Sequence, residues 1–381
     1  MKKTCVTLLL GLAFALPIYA QEGRTVSHGN LNTTVGNKSL LEIVTPDNLQ
    51  CNINLETHHQ NNITAEYQVW AHAKNAEQED RFLKLIAVKL DNRGGSDEAI
   101  KIRVLAPTTA PWEGTSYGVG ADLEIWVPEN FEIDTKMMRG DIVIEGPLKY
   151  AEVDCEYGSV EISYIDGETS IKTSYADIEA SYLEGAVSIE SIYSNITAEY
   201  ITITSGIGTF SSSNGKLDLE NITGPIEATT SNENIIAENL IAEFGSIILR
   251  TNYGRIDGDL IKGELIAETS YQPINLDDIY LLSGSSRIET FYSPINVEVS
   301  QIDDTELTVN NTYNSINLLL PDDMSGKLIL NIDEGGKIHT KGLSIKPLVM
   351  DKNRLVGLVG DGAAKIESNV SGIGDIYIEG Y

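Results

Sequence analysis

The chain has 381 residues, enough for one large domain or two ordinary ones, and carries 56 acidic against 27 basic residues for a formal net charge of −29. A polyanion of that size is repelled by nucleic acid and by anionic lipid, so neither is expected as a bulk partner. Three cysteines are too few for a disulfide framework.

Residues 1–20 have the form of a secretory signal peptide. Lys2 and Lys3 precede an apolar run from Val6 to Leu16, which ends in the small-residue site Ile18-Tyr19-Ala20. The run is shorter than the roughly 18–20 residues a spanning helix needs, and no second long apolar run comes after it. The expectation is therefore an exported protein with no transmembrane segment in its mature chain, resident in the periplasm, at the cell surface or outside. Removing the leader takes two basic and no acidic residues, leaving 25 against 56, or −31. It also leaves only Cys51 and Cys155, each among alternating apolar residues. Buried free thiols are the simpler expectation for them, and a bridge between the two is the alternative.

Residues 21–135 contain no repeat and read as a small β-rich domain that caps the first coil of a repetitive region beginning at residue 136. Strand-like runs lie at Leu40–Val44, Ile53–Glu56, Ile63–Trp70, Ile100–Leu105 and Leu123–Val127. One helix is expected after Asn75, which offers an N-cap before acidic residues and the apolar Phe82, Leu85 and Ile86. Gly114-Thr115-Ser116-Tyr117-Gly118 fits the Gly-x-Ser-x-Gly pattern of a nucleophile elbow, but sits in a Pro-Gly-rich loop with no strand-to-helix context.

Residues 136–381 are repetitive. A turn-like dipeptide followed by Ile, Val or Leu returns with a Tyr or Asn just before it, at Tyr157, Tyr175, Tyr193, Asn214, Asn232, Tyr253, Tyr271, Tyr292 and Tyr313. Every interval is 18 or 21 residues, the mark of a stack of equivalent coils. Period-two alternation within each copy indicates strand, and its parity shifts at the dipeptide, which marks a bend. Eight residues after each ladder position another aliphatic stands, from Ile165 and Leu183 to Ile279, often with Gly two residues later, marking a second corner. The predicted fold is thus all-β: a single-stranded parallel β-solenoid of about 18–21 residues per coil, behind the small β-rich N-terminal domain with its one helix. The ladder tyrosines share parity with the inward aliphatics in nearly every coil, so their rings are expected to face inward and to stack on one another as a structural ladder. Asn at two positions suits the same role, since stacked amides bond between coils.

Candidate chemistry is sparse. His28, His58, His59, His72 and His339 show no metal-ligand spacing, and no calcium repeat or phosphate loop occurs. The acidic pairs Asp277-Asp278, Asp303-Asp304 and Asp322-Asp323 fall near corners, where solvated turn residues are the simpler reading. No catalytic, metal or cofactor-binding residue is assigned, and the chain is expected not to be an enzyme.

The strings LEIWVPENFEIDTKMMRGDIVIEG at 123–146, the Tyr-x-x-Ile coils and the ending GAAKIESNVSGIGDIYIEG resemble the bacterial family named "putative adhesin", a group of exported β-solenoid domains. The resemblance spans roughly residues 40–381. It implies attachment to surfaces or cells and supplies no binding residues. The leading expectation is a non-enzymatic, exported protein whose rigid acidic solenoid surface binds glycan or another cell-surface or envelope component. The alternative role is a periplasmic scaffold or sensory partner of an envelope protein. A polysaccharide-active enzyme ranks third, for want of convergent acid and base groups.

Overall fold

A computed structural model describes residues 24–94, 99–361 and 363–381. The leader-like segment lies outside the described residues. Within them the chain is all-β apart from one helix, Ala76–Leu83, and its strands join one hydrogen-bonded sheet system in which parallel pairing predominates.

The parallel register follows the sequence interval. Ile178 pairs with Ile196, Ile196 with Leu217, Leu217 with Ile235, Ile235 with Ile256, Ile256 with Ile274, Ile274 with Ile295 and Ile295 with Ile316. Each step is one rung of 18 or 21 residues, and all of these side chains are buried at 0–1 % exposure. Stacking like on like is what buries them. A lone rung would leave its aliphatic side in water, whereas each buried Ile or Leu contributes roughly 1.5–3 kcal/mol once its neighbours cover it. The aliphatics of the second corner, Ile165 to Ile279, are likewise buried.

The rungs of 18 and 21 differ in length at one corner, and at another the pairing of Ile279 with Val299 slips locally by one residue. Ile203 pairs with Gly185 and Ser188 with Thr209, so the extra three residues of that rung fall within 204–207. The same accounting puts later extras within 243–246 and 282–284. The rung ending at Tyr313 keeps its extra residues at 303–305, in register with 282–284, and all four extras lie at the third corner, in the column of Gly167, Gly185, Gly224 and Gly263, which take positive φ.

Both ends of the stack are closed by the same device, which the repeat pattern does not announce. At the start, Gln50–His58 lies between Gly118–Pro128 and the beginning of Ile142–Gly185, parallel to both. Asn52 ties the three together: its Nδ2 donates to Asp122 Oδ1 at 2.7 Å and its Oδ1 accepts from Asp141 N at 3.1 Å. Leu40–Val44 is placed in the same way between Ile100–Leu105 and Glu132–Arg139. At the far end, Ala364–Val370 slots between Glu306–Asn311 and Gly326–Ile332, and Ile376–Gly380 between Ile316–Leu320 and Ile338–Lys341. Here Asn369 is the tie, donating to Asn310 Oδ1 at 3.0 Å and accepting from Asn331 Nδ2 at 2.8 Å. The outermost parallel strands are then covered by antiparallel ones. Asn62–His72 and Thr25–Thr34 close the first end, and Arg354–Val359 and Lys346–Met350 the second. Uncovered, those edges would present rows of unpaired backbone groups.

The parallel stack therefore begins before residue 136, with Leu41, Ile133 and Ala151 in one register. Each expected strand of the N-terminal region is present, and Thr25–Thr34, Ala87–Asp91 and Glu132–Arg139 are additional. The helix starts as its cap predicts, with Asn75 accepting from Gln78 N at 3.0 Å. Its Phe82 packs edge-on against Trp112 at 5.5 Å, and its Glu79 accepts from Ala73 N at 3.0 Å and from Thr25 Oγ1 at 2.5 Å. Cys51 and Cys155 are both buried and free, and burial pushes both thiols up to about 12, so neither is a thiolate at ordinary pH.

Candidate binding surface

The tyrosine ladder is stacked as expected but faces the other way. Tyr157, Tyr175 and Tyr193 stack at 4.9 and 4.7 Å, and Tyr253, Tyr271, Tyr292 and Tyr313 at 4.8, 5.2 and 5.3 Å, with interplanar angles of 14° or less. All seven rings are 39–55 % exposed, which corrects the expectation that they point inward. The parity shift comes one step earlier than the sequence suggested. Ile171 and Thr173 are buried, Tyr175 is exposed, and burial resumes at Ala176 and Ile178. What occupies the interior of this corner is a hydroxyl or amide two residues before each ladder position: Thr173, Ser191, Ser212, Thr230, Thr251, Thr269, Thr290 and Asn311, all buried. These side chains satisfy the bend's backbone. Thr173 Oγ1 donates to Ala176 O at 2.9 Å, Thr230 Oγ1 to Gly215 O at 3.0 Å and Thr269 Oγ1 to Gly254 O at 2.8 Å. Cys155 is the first member of this column.

A second ladder was missed. Seven residues after the first come Tyr164, Tyr182, Tyr200, Asn221, Asn239, Leu260 and Asp278, every one with φ between +53° and +58°. The three tyrosines stack at 4.8 and 5.0 Å and are nearly half exposed. The signal was present, since this column repeats the residue types of the first, rung for rung, through three Tyr and two Asn.

Stacked rings hide their faces from solvent and show edges and hydroxyls. A sugar that stacks on an aromatic needs a face, so the ladders are first of all structural. Both break at the same two rungs. Asn232 Nδ2 donates to Asn214 Oδ1 at 2.6 Å, and Asn239 Nδ2 to Asn221 Oδ1 at 2.6 Å. With rungs about 4.8 Å apart, Tyr193 and Tyr253 face each other across roughly 14 Å. Replacing both amides, Asn214→Tyr with Asn232→Tyr, is expected to run the two stacks into one and to raise stability by about 1–3 kcal/mol, at ~0.5–1.5 kcal/mol per new ring pair less the lost amide bond. A thermal unfolding scan checks this, and a lower midpoint would show that the breaks relieve strain.

The strand face leading into the first ladder carries a groove of about 390 Å³. Arg250 is its centre, with Nη1 at 3.0 Å from Glu227 and Nε at 2.9 Å from Glu268. Arg287 continues the network to Glu289 and, at 3.7 Å, to Glu268. Its hydrogen bond to Glu289 is the main cause that raises its pKa further. Asn252 and Phe291 complete the wall, and the Phe291 ring is 42 % exposed with no ring partner among the described residues. A second groove, about 470 Å³, lies over Asp134, Tyr150 and Glu152, where burial and the neighbouring carboxylates Glu152 and Glu42 hold Asp134 above the usual range.

Other residues singled out in the sequence are dispersed. His58 Nε2 lies 2.7 Å from Asn62 O and His59 Nδ1 3.1 Å from Glu129, while His339 stacks on Tyr377 at 4.5 Å. Ser116 is exposed in a turn that leads into the strand Gly118–Pro128, with no helix after it. Asp278 and Asp303 are surface residues bonded to Ser300 and Gln301.

The geometry defines an all-β chain whose parallel strands stack beneath two exposed polar-aromatic columns. No family model and no curated protein matches the sequence. Among solved structures the chain is similar to a "putative cell adhesion protein" from Clostridium sporogenes, at 9 % identity over 94 % of this chain and 100 % of that one, with a TM-score of 0.20. A likeness that slight bears on neither fold nor role.

Proposed function

We propose that this is a non-enzymatic, exported, adhesin-like binding protein, a parallel β-solenoid of 18–21 residues per coil that presents a glycan site on its outer face. The observation that carries this reading is the Arg250 groove. It sets an unstacked, half-exposed Phe291 ring and the amide of Asn252 beside Arg250, Arg287, Glu268 and Glu289, planar groups already fixed by one another. An aromatic face takes the apolar side of a pyranose, and preoriented planar donors and acceptors take its paired hydroxyls. The acidic surroundings favour a neutral or cationic sugar over a polyanionic one.

Binding of a panel of neutral and amino-sugar oligosaccharides to the purified chain, measured by calorimetry, tests it. Phe291→Ala and Arg250→Ala are each expected to weaken the best ligand at least tenfold, about 1.4 kcal/mol, with little loss of fold. Absence of binding across the panel, or full affinity in both variants, would sink the reading. Survival of the protein when protease is added to intact cells would send the ligand search to the interior of the envelope.

A further inference from the structure

The hairpin that closes the far end of the stack differs from everything else on the surface. Its outer strand, Lys346–Met350, pairs on one side with Arg354–Val359, and no described strand meets its other edge. Every residue of it is exposed, with Leu348 at 55 %, Val349 at 43 % and Met350 at 76 %. Three consecutive apolar side chains left in water stand out at the tip of a stack whose other exposed apolar residues are mostly laddered tyrosines or single side chains such as Ile207, Phe244 and Ile373.

The charge of the tip is also inverted. Between Lys346 and Arg354 there are three cations, Lys346, Lys352 and Arg354, and one anion, Asp351, on a chain whose net charge is −29. Several arginines and lysines of the strand faces, such as Arg250, Arg287, Lys216 and Lys365, are ion-paired, and others, such as Lys172 and Lys262, stand singly among carboxylate-rich rungs. None of the three hairpin cations has an ion-pair partner among the described residues.

We propose that this hairpin is a membrane-docking tip, taking anionic phospholipid headgroups on Lys346, Lys352 and Arg354 and bedding Leu348, Val349 and Met350 in the interfacial layer. The two features belong together on a bilayer surface, which offers negative charge and an apolar bed within a few ångströms. The outward face of a second copy offers carboxylates but alternates them with hydroxyls and amides. The acidity of the rest of the chain does not forbid the contact. At about 0.1 M salt the screening length is ~10 Å, so the tip meets the membrane while the rungs behind it are screened from it. At about 0.01 M the length is ~30 Å and the whole stack is felt, so binding is weaker there despite the stronger local attraction.

The test is flotation of the purified full chain with phosphatidylcholine vesicles, with and without about one third phosphatidylglycerol. Expected is binding to the anionic vesicles alone, strongest near 0.1 M salt. Each neutralised cation should cost roughly fivefold, and the exposed double variants Lys346→Glu with Lys352→Glu and Leu348→Ser with Met350→Ser should each cost at least tenfold. Unchanged near-ultraviolet circular dichroism of the tyrosine stacks would show that the fold is intact. Failure of the unaltered chain to float with anionic vesicles at 0.1 M salt overturns the proposal, as does binding that both variants retain. It is also overturned if the variants abolish only a concentration-dependent self-association seen by sedimentation, which would make the hairpin a contact between copies.

Discussion

Removing residues 361–381 is expected to unfold the far end of the molecule back to the rung at Glu306–Leu320, not merely to shorten it by one rung. In a simple stack, deleting the last rung exposes the one before it and costs one interface. Here the last rung lies inside. Ile366, Val370, Ile376 and Ile378 are buried at 0–1 %, between rungs that have no direct pairing with each other. Those four side chains alone are worth roughly 6–12 kcal/mol, comparable to the whole stability of an ordinary domain. Their loss also strands Gly326–Ile332 and the hairpin beyond it with no parallel partner. Limited proteolysis with mass spectrometry checks the outcome: cleavage throughout 322–360 is expected, and persistence of a protected fragment ending near 360 would contradict it.

The second large effect concerns the third corner. Gly185→Ala is expected to destabilise the chain by at least about 4 kcal/mol, since the substituent meets backbone and not a movable side chain. An added Cβ would lie 2.0 Å from the carbonyl oxygen of Gly167, at φ +137°, where L residues are strained in any case. Gly206→Ala is the internal control. It too has positive φ, at +72°, but nothing lies within 4 Å, so only the left-handed penalty of about 1 kcal/mol applies. Denaturant midpoints of the two variants should differ severalfold in their shift from the parent. Equal shifts would mean that the rungs can part at this corner at little cost.

The sequence carried the architecture because its cause is local and repeated. A buried aliphatic at Ile178, Ile196, Leu217 and onward is demanded at every rung, so the interval prints through. Asn75 was legible for the same reason: an N-cap needs one residue of the right kind in one place. The direction of the tyrosines was not. Alternation says only that residues two apart share a face, and a bend that turns two consecutive residues outward looks in sequence like any other. The discriminating residue was the buried Thr or Ser two places earlier, an ordinary strand residue until its bond to a corner carbonyl is seen. The closing of the ends was illegible for a different reason. Placing Ala364–Val370 before Gly326–Ile332 depends on pairings nearly 40 residues apart, which no periodicity announces. The candidate groove was hidden as well, because Arg250 lies two rungs before Arg287 and Phe291, with Glu268 on the rung between, and the set forms no motif along the chain.

The three-residue differences between rungs have a use beyond bookkeeping. The extra residues are housed along a single edge, within 204–207, 243–246, 282–284 and 303–305, while the edge of the first tyrosine ladder keeps an unbroken register. That edge is the molecule's tolerant seam. Segments can lengthen there without displacing a single core contact, as Ile207 and Phe244, pushed out to 56 % and 84 % exposure, already illustrate. Descendants of this chain can diversify their loops on that side while the paired strands stay fixed, and an engineer who wishes to hang a tag or a foreign peptide from the stack has the same seam to sew into.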